Sequence, residues 1–188
     1  MKIVSTSAVL AAALAALAPA LHAKGDAARL MLKLPDGSQP VEIVKVSEGA
    51  VELPGGVVSI DQPVTPDAWA KVSITVKSPA NVDALLRLSA TWTKEDSVWV
   101  YIDDIKYDGD IPLNNPDLED GAPGKAPTGW KFTKTGEKVG EYLQDATLAT
   151  SGAGLVKVPF SAPLAQTIHL PEGKEVTISF SAKLAPAN

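Results

Sequence analysis

The chain of 188 residues contains no cysteine, only two histidines, and 5% aromatic residues. Without cysteine it can form no disulfide, no thiolate metal site and no cysteine nucleophile. It also lacks an excess of positive charge, since its formal net charge is −5. An acidic chain is poorly suited to bind nucleic acid or an anionic membrane surface. We therefore expect neither as a partner.

The apolar run at the N-terminus has the form of a secretory signal peptide. Lys2 precedes a stretch rich in Ala and Leu, and Ala-Leu-His-Ala closes the segment at Ala23. The run is shorter than the roughly 18 to 20 residues that span a bilayer, and no other stretch of the sequence is a transmembrane candidate. We expect residues 1–23 to be removed, which leaves 24–188 as one domain, secreted or periplasmic. Loss of Lys2 changes the net charge from −5 to −6.

The rest of the sequence reads as short β-branched segments separated by 14 prolines and 14 glycines. Apolar and polar residues alternate strictly in 71–76 and 175–181, which predicts strands with one buried face and one wet face. The predicted strands are 29–34, 41–46, 57–60, 70–76, 85–92, 98–107, 155–160, 166–169 and 175–184. Their spacing predicts an all-β fold, a jelly roll or β-sandwich of two antiparallel sheets.

The segment from Asp108 to Gly129 has neither strand nor helix periodicity. Asp, Asn, Gly and Pro dominate it, which predicts a long loop. Loops of this length inside compact domains are usually functional or disordered. A short helix is expected around 137–144.

Strand alternation around Trp99 predicts an aromatic face. The aliphatic side chains share the other face: Val98, Val100 and Ile102. If these three are core, Trp99 and Tyr101 point outward together with Asp103. Flat rings stack on the apolar faces of sugars, and Arg87 and Asp103 are the polar companions that could orient such a ligand. The alternative is that Trp99 packs under the long loop.

Sequence signals for catalysis are scarce. His169 is the only histidine after removal of the signal peptide, and alternation places it on the polar face of a strand. The chain has no Gly-x-Ser-x-Gly elbow, zinc-ligand cluster or phosphate loop. Its carboxylates crowd into one loop instead of facing each other across a groove, as a glycosidase would need. We expect a protein that is not an enzyme.

Two segments resemble the jelly-roll carbohydrate-binding modules with the galactose-binding-like fold. The opening motif of that family, roughly Asn-x-x-Phe-Glu-x-Gly followed by Gly-Trp, corresponds to 114–121 and 129–130, with Leu118 in place of Phe. Its Gln-x-Ile/Val-x-Leu strand and Pro-Gly turn correspond to 165–173. The closing motifs, a Trp before an alternating strand and a final Ile-Asp-Asp-Val, correspond to 69–76 and 100–105.

The closing half of the family pattern precedes the opening half in this chain. The resemblance therefore implies either a circular permutant or pieces of two modules. It also implies that Trp69 and Trp130 are core residues. Trp92 has the alternation of Leu86 and Leu88 and is expected in the core as well.

The resemblance implies a structural calcium ion. In the family, the Glu of the opening motif and an Asp of the closing pair share this ion, and the corresponding residues here are Glu119 and Asp104, with Asp117 as a helper. Carboxylate oxygens are the ligands that Ca²⁺ prefers. The alternative is an acidic loop that is simply solvated.

For function, the resemblance implies an exported, non-catalytic glycan-binding protein with a polysaccharide as partner. The alternative is a structural or adhesive cell-envelope protein that contacts protein partners through edge strands. Exposed aromatic rings in a groove would favour the first interpretation. A flat aliphatic patch or an unpaired strand edge would favour the second.

Overall fold

The computed structural model describes residues 26–47, 50–52 and 57–186, with only the backbone given for 50–52. The predicted signal peptide, 1–23, lies outside the described residues. Described residues form strands, turns and loops but no helix, so none of them belongs to a helix that could span a membrane. The helix expected around 137–144 is therefore wrong, because its second half is an extended strand.

The described residues form twelve strands. They are β1 (Ala27–Lys33), β2 (Glu42–Val46), β3 (Ala50–Glu52), β4 (Val57–Pro63), β5 (Ala70–Lys77), β6 (Val82–Ala90), β7 (Trp99–Tyr107), β8 (Lys131–Phe132), β9 (Glu141–Gln144), β10 (Gly154–Pro159), β11 (Leu164–Leu170) and β12 (Glu175–Ala185). All the strands predicted from the sequence are confirmed, with ends shifted by three residues at most. The short strands β3, β8 and β9 were not predicted.

The strands form two antiparallel sheets that pack face to face, which confirms the predicted β-sandwich. The first sheet has the order β3-β4-β1-β6-β11-β8, and the second has the order β2-β5-β12-β7-β10-β9. Neighbours in both sheets are mostly distant in sequence, as in the pairings of β1 with β6 and of β12 with β7. The sequence pattern predicts the strands but not this order.

The core consists of the inward-facing side chains of both sheets. Leu30 on β1 pairs with Ile60 on one side and Leu88 on the other, and all three are at most 3% exposed. Ile102 of the second sheet is fully buried in the same cluster, as is Phe180 at 1%. Burial of such side chains contributes roughly 1.5 to 3 kcal/mol each and is the main force that holds the sheets together.

The four tryptophans differ in their burial. Trp130 is 7% exposed and belongs to the core, as predicted. Trp69 is only partly buried. Trp92 is 60% exposed, so its expected place in the core is wrong. The reason is that β6 ends at Ala90, two residues earlier than predicted, and Trp92 lies on the loop that follows.

A β-bulge interrupts the pairing of β7 with β12. The register shifts between Ser179 and Ser181, so that Asp104 and Ile105 together face Phe180. Asp104 has a φ of 50°, in the left-handed region. The extra residue resets the alternation of β7: Ile105 returns to the core at 3% exposure, and the Asp104 carboxylate stays out of it.

The two ends of the described chain lie beside one dipeptide. The backbone N–H of Val64 donates to the carbonyl of Asp26 at 3.1 Å, and the N–H of Leu184 donates to the carbonyl of Thr65 at 3.1 Å. Residue 26 and residue 184 are therefore neighbours in space.

Candidate ligand-binding face

The aromatic face predicted around Trp99 lies on the outer side of the second sheet. Val98, Val100 and Ile102 belong to the core cluster. The intervening side chains of β7, those of Trp99, Tyr101 and Asp103, point away from it. The predicted alternation is thus confirmed for this strand.

Tyr101 is the centre of a row of side chains that crosses four strands. It pairs with Lys157 on β10 and with Lys183 on β12, and Lys157 pairs in turn with Glu141 on β9. We call Glu141, Lys157, Tyr101 and Lys183 the Tyr101 row. Lys157 is 6% exposed, whereas the other three are half-buried. The row therefore presents one aromatic ring between two lysines, with a glutamate at one end.

The environment of Tyr101 keeps its phenol protonated. Burial raises the pKa of Tyr101 above its ordinary value, and the negative charges of Glu141 and Asp145 raise this pKa further. A protonated phenol both donates and accepts hydrogen bonds. At neutral pH the Tyr101 side chain thus offers a ring face and a polar hydroxyl to a ligand.

Trp99 lies beneath this surface and not upon it. Its side chain is 3% exposed, and the ammonium groups of Lys138 and Lys157 lie 5.6 Å and 5.2 Å from its ring centroid. These distances are typical of cation–π contacts. The expectation that Trp99 is presented outward is wrong, because lysine side chains cover it. The alternative, a packed ring under a loop, is the one that the structure supports.

Lys138 reaches Trp99 because Asp96 holds the surrounding loops. The ammonium of Lys138 donates to the Asp96 carbonyl, and the Asp96 carboxylate accepts from the Ser161 hydroxyl and, at 3.2 Å, from the Phe160 N–H. Asp96 has a φ of 48°, a left-handed conformation. This residue thus joins three loops at the end of the sandwich where Trp92 is exposed.

Arg87 is not part of this face. It lies on β6 of the first sheet, paired with Met31 on β1 and Ala165 on β11. Its neighbours Leu86 and Leu88 are fully buried in the core, so Arg87 points out of the opposite side of the sandwich. Its expected role as a companion of Trp99 is therefore wrong, since strand order separates the two.

Asp103 is fully buried and binds protein groups. Its Oδ2 accepts from the Thr150 N–H at 2.7 Å, the Thr150 hydroxyl at 2.6 Å and the Ser151 N–H at 3.2 Å. Its Oδ1 accepts from the Asp104 N–H at 2.6 Å. The expectation that Asp103 orients a ligand directly is wrong, because its oxygens are already engaged in fixing the loop before β10.

Glu119 binds the same loop from the other side. Its carboxylate accepts from the N–H of Ala153 at 2.9 and 3.2 Å and from the N–H of Gly154 at 2.9 Å. We call Asp103, Glu119 and the segment 150–154 the carboxylate clamp. A Cβ on Gly154 would lie 2.2 Å from the Leu118 carbonyl oxygen, so only glycine allows this approach.

The other two predicted calcium ligands are placed differently. Asp104 accepts from the Lys106 ammonium at 3.1 Å, and Asp117 is exposed. Among the described residues no group of three or more His, Cys, Asp or Glu side chains is arranged to hold a metal ion. In this structure the donors around Glu119 are backbone N–H groups. Calcium at Glu119 and Asp104 stays a prediction.

The loop from Asp108 to Gly129 is ordered by amide side chains. Asn115 exchanges two hydrogen bonds with the backbone of Asp120, at 2.7 and 3.1 Å, and accepts at its own carbonyl from the Trp130 indole at 3.0 Å. Gln166 binds both the N–H and the carbonyl of Asn114, at 2.9 and 3.1 Å. The motif residues at 114–115, 130 and 166 thus serve loop structure.

Sequence reasoning missed Glu141, Lys157 and Lys183 as members of the candidate face. Each lies on a strand whose alternation could have revealed its outward direction, but only the strand order places the three beside Tyr101. No protein-family model matches this chain, and a search of curated proteins finds no significant match.

We predict that Asp103→Asn lowers the free energy of unfolding by about 2 to 3 kcal/mol, because a buried anionic acceptor of several hydrogen bonds becomes neutral. Urea unfolding followed by tryptophan fluorescence measures this. Asp117→Asn, which removes the same charge at an exposed site, is the control and should change stability by less than about 0.5 kcal/mol. Equal stability of the two variants would contradict the role given to Asp103.

Proposed function

We propose that this chain is an exported, non-catalytic glycan-binding protein with a circularly permuted, galactose-binding-like jelly roll. The proposed ligand site is the outer face of the second sheet, centred on Tyr101. The single observation that carries the proposal is the Tyr101 row, in which a half-buried aromatic ring lies between Lys157 and Lys183, with Glu141 beyond.

The chemistry of the Tyr101 row suits a polyhydroxylated ligand. The Tyr101 ring can stack on the C–H face of a sugar, and its protonated hydroxyl can bond to a sugar oxygen. Lys183 lies beside the ring and can donate a hydrogen bond to a sugar hydroxyl, and the Glu141 carboxylate, two strands from Tyr101, is of the kind that accepts one. Lys157 and Trp99 are buried next to Tyr101 in the sheet, at 6% and 3% exposure.

The loops beside this face support the proposal because they are held in place. The carboxylate clamp fixes 150–154, and Asp96 fixes the loops at the other end of β7. A ligand that meets a preformed surface does not have to order it, which saves about 0.5 to 1.5 kcal/mol for each side chain already immobilised.

Two structural features support the permuted fold. The residues 26 and 184 lie on either side of Val64-Thr65, as a permutant of a closed sandwich requires. The motif positions Leu118 and Trp130 are buried in the core, at 0% and 7% exposure. Leu118 fills the place of the Phe in the resembled motif.

We predict that Tyr101→Ala weakens binding to any glycan that the protein recognises by at least tenfold, or about 1.4 kcal/mol. The reason is that loss of the ring removes the stacking surface, whereas Tyr101→Phe keeps it and should retain most of the affinity. The measurement is binding of residues 24–188 to a broad glycan and polysaccharide array, followed by calorimetry with the best ligand. Lys45→Met, at an exposed position on β2, is the control.

Loss of binding in Trp92→Ala but not in Tyr101→Ala would move the site to the loop 91–98. Failure of the folded wild-type protein to bind any glycan would contradict the proposal. That result would favour an adhesive protein that contacts other proteins through strand edges.

Calcium is the proposed structural ion, on the resemblance alone. If it binds at Glu119 and Asp104, calcium should raise the Tm of the wild-type protein, since an ion that binds only the folded state stabilises it. Excess EGTA should reverse the rise, magnesium should not reproduce it, and Glu119→Gln should abolish it. Thermal unfolding measures the effect. A wild-type Tm that does not respond to millimolar calcium would contradict a calcium site.

A further inference from the structure

A second row of side chains crosses the outer face of the first sheet. Ser59 on β4 pairs with Met31 on β1, Met31 pairs with Arg87 on β6, Arg87 pairs with Ala165 on β11, and Ala165 pairs with Lys131 on β8. We call these five residues the Arg87 row. It lies on the opposite side of the sandwich from the Tyr101 row, so the core separates the two.

Arg87 has an unmatched donor in this row. The side chain is half-buried, and among the described residues its buried Nε has no hydrogen-bond partner. Burial alone lowers the pKa of Arg87 from its ordinary value, yet an arginine keeps its proton in proteins. A buried donor without an acceptor destabilises the folded protein. The position of Arg87 is therefore unfavourable unless an acceptor binds there.

Ser59 is a second unmatched group in the same row. It is 3% exposed, and its buried hydroxyl has no hydrogen-bond partner among the described residues. Most buried hydroxyls in proteins have a partner, so each exception calls for an explanation. Arg87 and Ser59 lie in one row, separated only by Met31, and Glu52 on β3 pairs with Ser59 on its other side.

The neighbouring carboxylates do not serve Arg87. Asp61 accepts from Arg29 at 2.5 and 2.7 Å, and Asp83 bonds to His169 at 2.8 Å. These are the two carboxylates on the described outward positions of β4, β1, β6 and β11, and a third acidic residue, Glu52 on the edge strand β3, pairs with Ser59 at the far end of the row. Each already has a cationic or imidazole partner, so neither neutralises Arg87.

Lys131 supplies a second positive charge at a suitable separation. Ala165 lies between Arg87 and Lys131 and is a small, fully buried residue. Adjacent strands are about 4.8 Å apart, so the Cα atoms of Arg87 and Lys131 are about 10 Å apart. Two long side chains can converge on one group above an alanine at that separation. Guanidinium and ammonium together bind carboxylate or sulfate oxygens well.

We infer that the outer face of the first sheet carries a second site, centred on Arg87 and Lys131, that binds the carboxylate or sulfate groups of an acidic polysaccharide. The choice of a polysaccharide as the carrier rests on the proposed glycan-binding function. The anion site itself rests on the Arg87 row. The chain then has two faces for one kind of polymer, one for sugar rings and one for their acidic substituents.

The net charge of the chain does not favour binding of an acidic polymer. The chain carries a formal net charge of −5, so the average field of the protein repels a polyanion. Binding of an acidic polymer therefore requires a local group of cations and cannot arise from the net charge.

The test compares polymers that differ in charge. Residues 24–188 are titrated with dextran sulfate, with polygalacturonate and with uncharged dextran at about 0.15 M salt, a concentration that screens weak surface attraction. The variants are Arg87→Met, Arg87→Lys and Lys131→Met, together with Tyr101→Ala. Lys45→Met removes one exposed charge from the second sheet and is the matched control. Thermal unfolding establishes that each variant is folded.

We expect binding to at least one acidic polymer and none to dextran. Arg87→Met and Lys131→Met should each weaken it about tenfold, as for the loss of a hydrogen bond to a charged group. Arg87→Lys should recover part of the affinity, and Lys45→Met should change it less than twofold. Tighter binding of polygalacturonate identifies the bound group as a carboxylate, and tighter binding of dextran sulfate identifies it as a sulfate. If Arg87→Met does not fold, Lys131→Met, at an exposed position, decides the matter alone.

Three results would overturn the inference. They are absence of binding to both acidic polymers, equal weakening by Lys131→Met and Lys45→Met, and binding that needs Tyr101 but not Lys131. The last result would leave the proposed function standing while the second site fails. A different pair of results would support the second site and contradict the first. In that case acidic polymers bind through Arg87 and Lys131, and Tyr101→Ala keeps all glycan binding.

Discussion

The hydrogen bonds of two carboxylates, the buried Asp103 and the exposed Glu119, with backbone N–H groups are the interaction on which the candidate face depends. Asp103 lies on β7, in the middle of the second sheet, and holds Thr150 and Ser151. Glu119 comes from the long loop and holds Ala153 and Gly154. The clamp therefore ties an irregular loop to the sheet through the segment 150–154. Charged acceptors make these bonds about twice as strong as neutral ones.

A β-sandwich offers two outer faces, and in this chain they differ in chemistry. The face around Tyr101 combines an aromatic ring with charges of both signs. The face around Arg87 has the cations Arg87 and Lys131, a small buried alanine between them and two buried polar atoms that have no hydrogen-bond partner among the described residues. Because the packed core lies between the faces, a substitution on one face should have little effect on binding at the other.

Much of the fold could be predicted from the sequence because alternation is a local property. The pattern of 98–102 correctly predicts that Val98, Val100 and Ile102 are buried together and that Trp99 and Tyr101 point the other way. Alternation does not reveal what covers a side chain. Trp99 is covered by Lys138 and Lys157, which lie 39 and 58 positions further along the chain.

The candidate site could be predicted only in part, because it depends on strand order and on one bulge. Arg87 has the alternation of an outward residue, but the pairing of β6 with β1 and β11 places it on the other sheet. The bulge at Asp104 requires a left-handed residue that no pattern in the sequence marks. The family resemblance indicated Glu119 as a calcium ligand, and strand alternation indicated Asp103 as a companion of a glycan, whereas in the structure both carboxylates bind backbone donors.

Amide hydrogen exchange of the segment 150–154 tests the carboxylate clamp most directly. In the wild-type protein the N–H groups of Thr150, Ser151, Ala153 and Gly154 should exchange slowly although Thr150 and Ser151 are exposed. In Asp103→Asn, exchange at Thr150 and Ser151 should become at least about tenfold faster, while the core strands β7 and β12 stay protected. Wild-type amides that exchange as fast as those of an unstructured peptide would contradict the account.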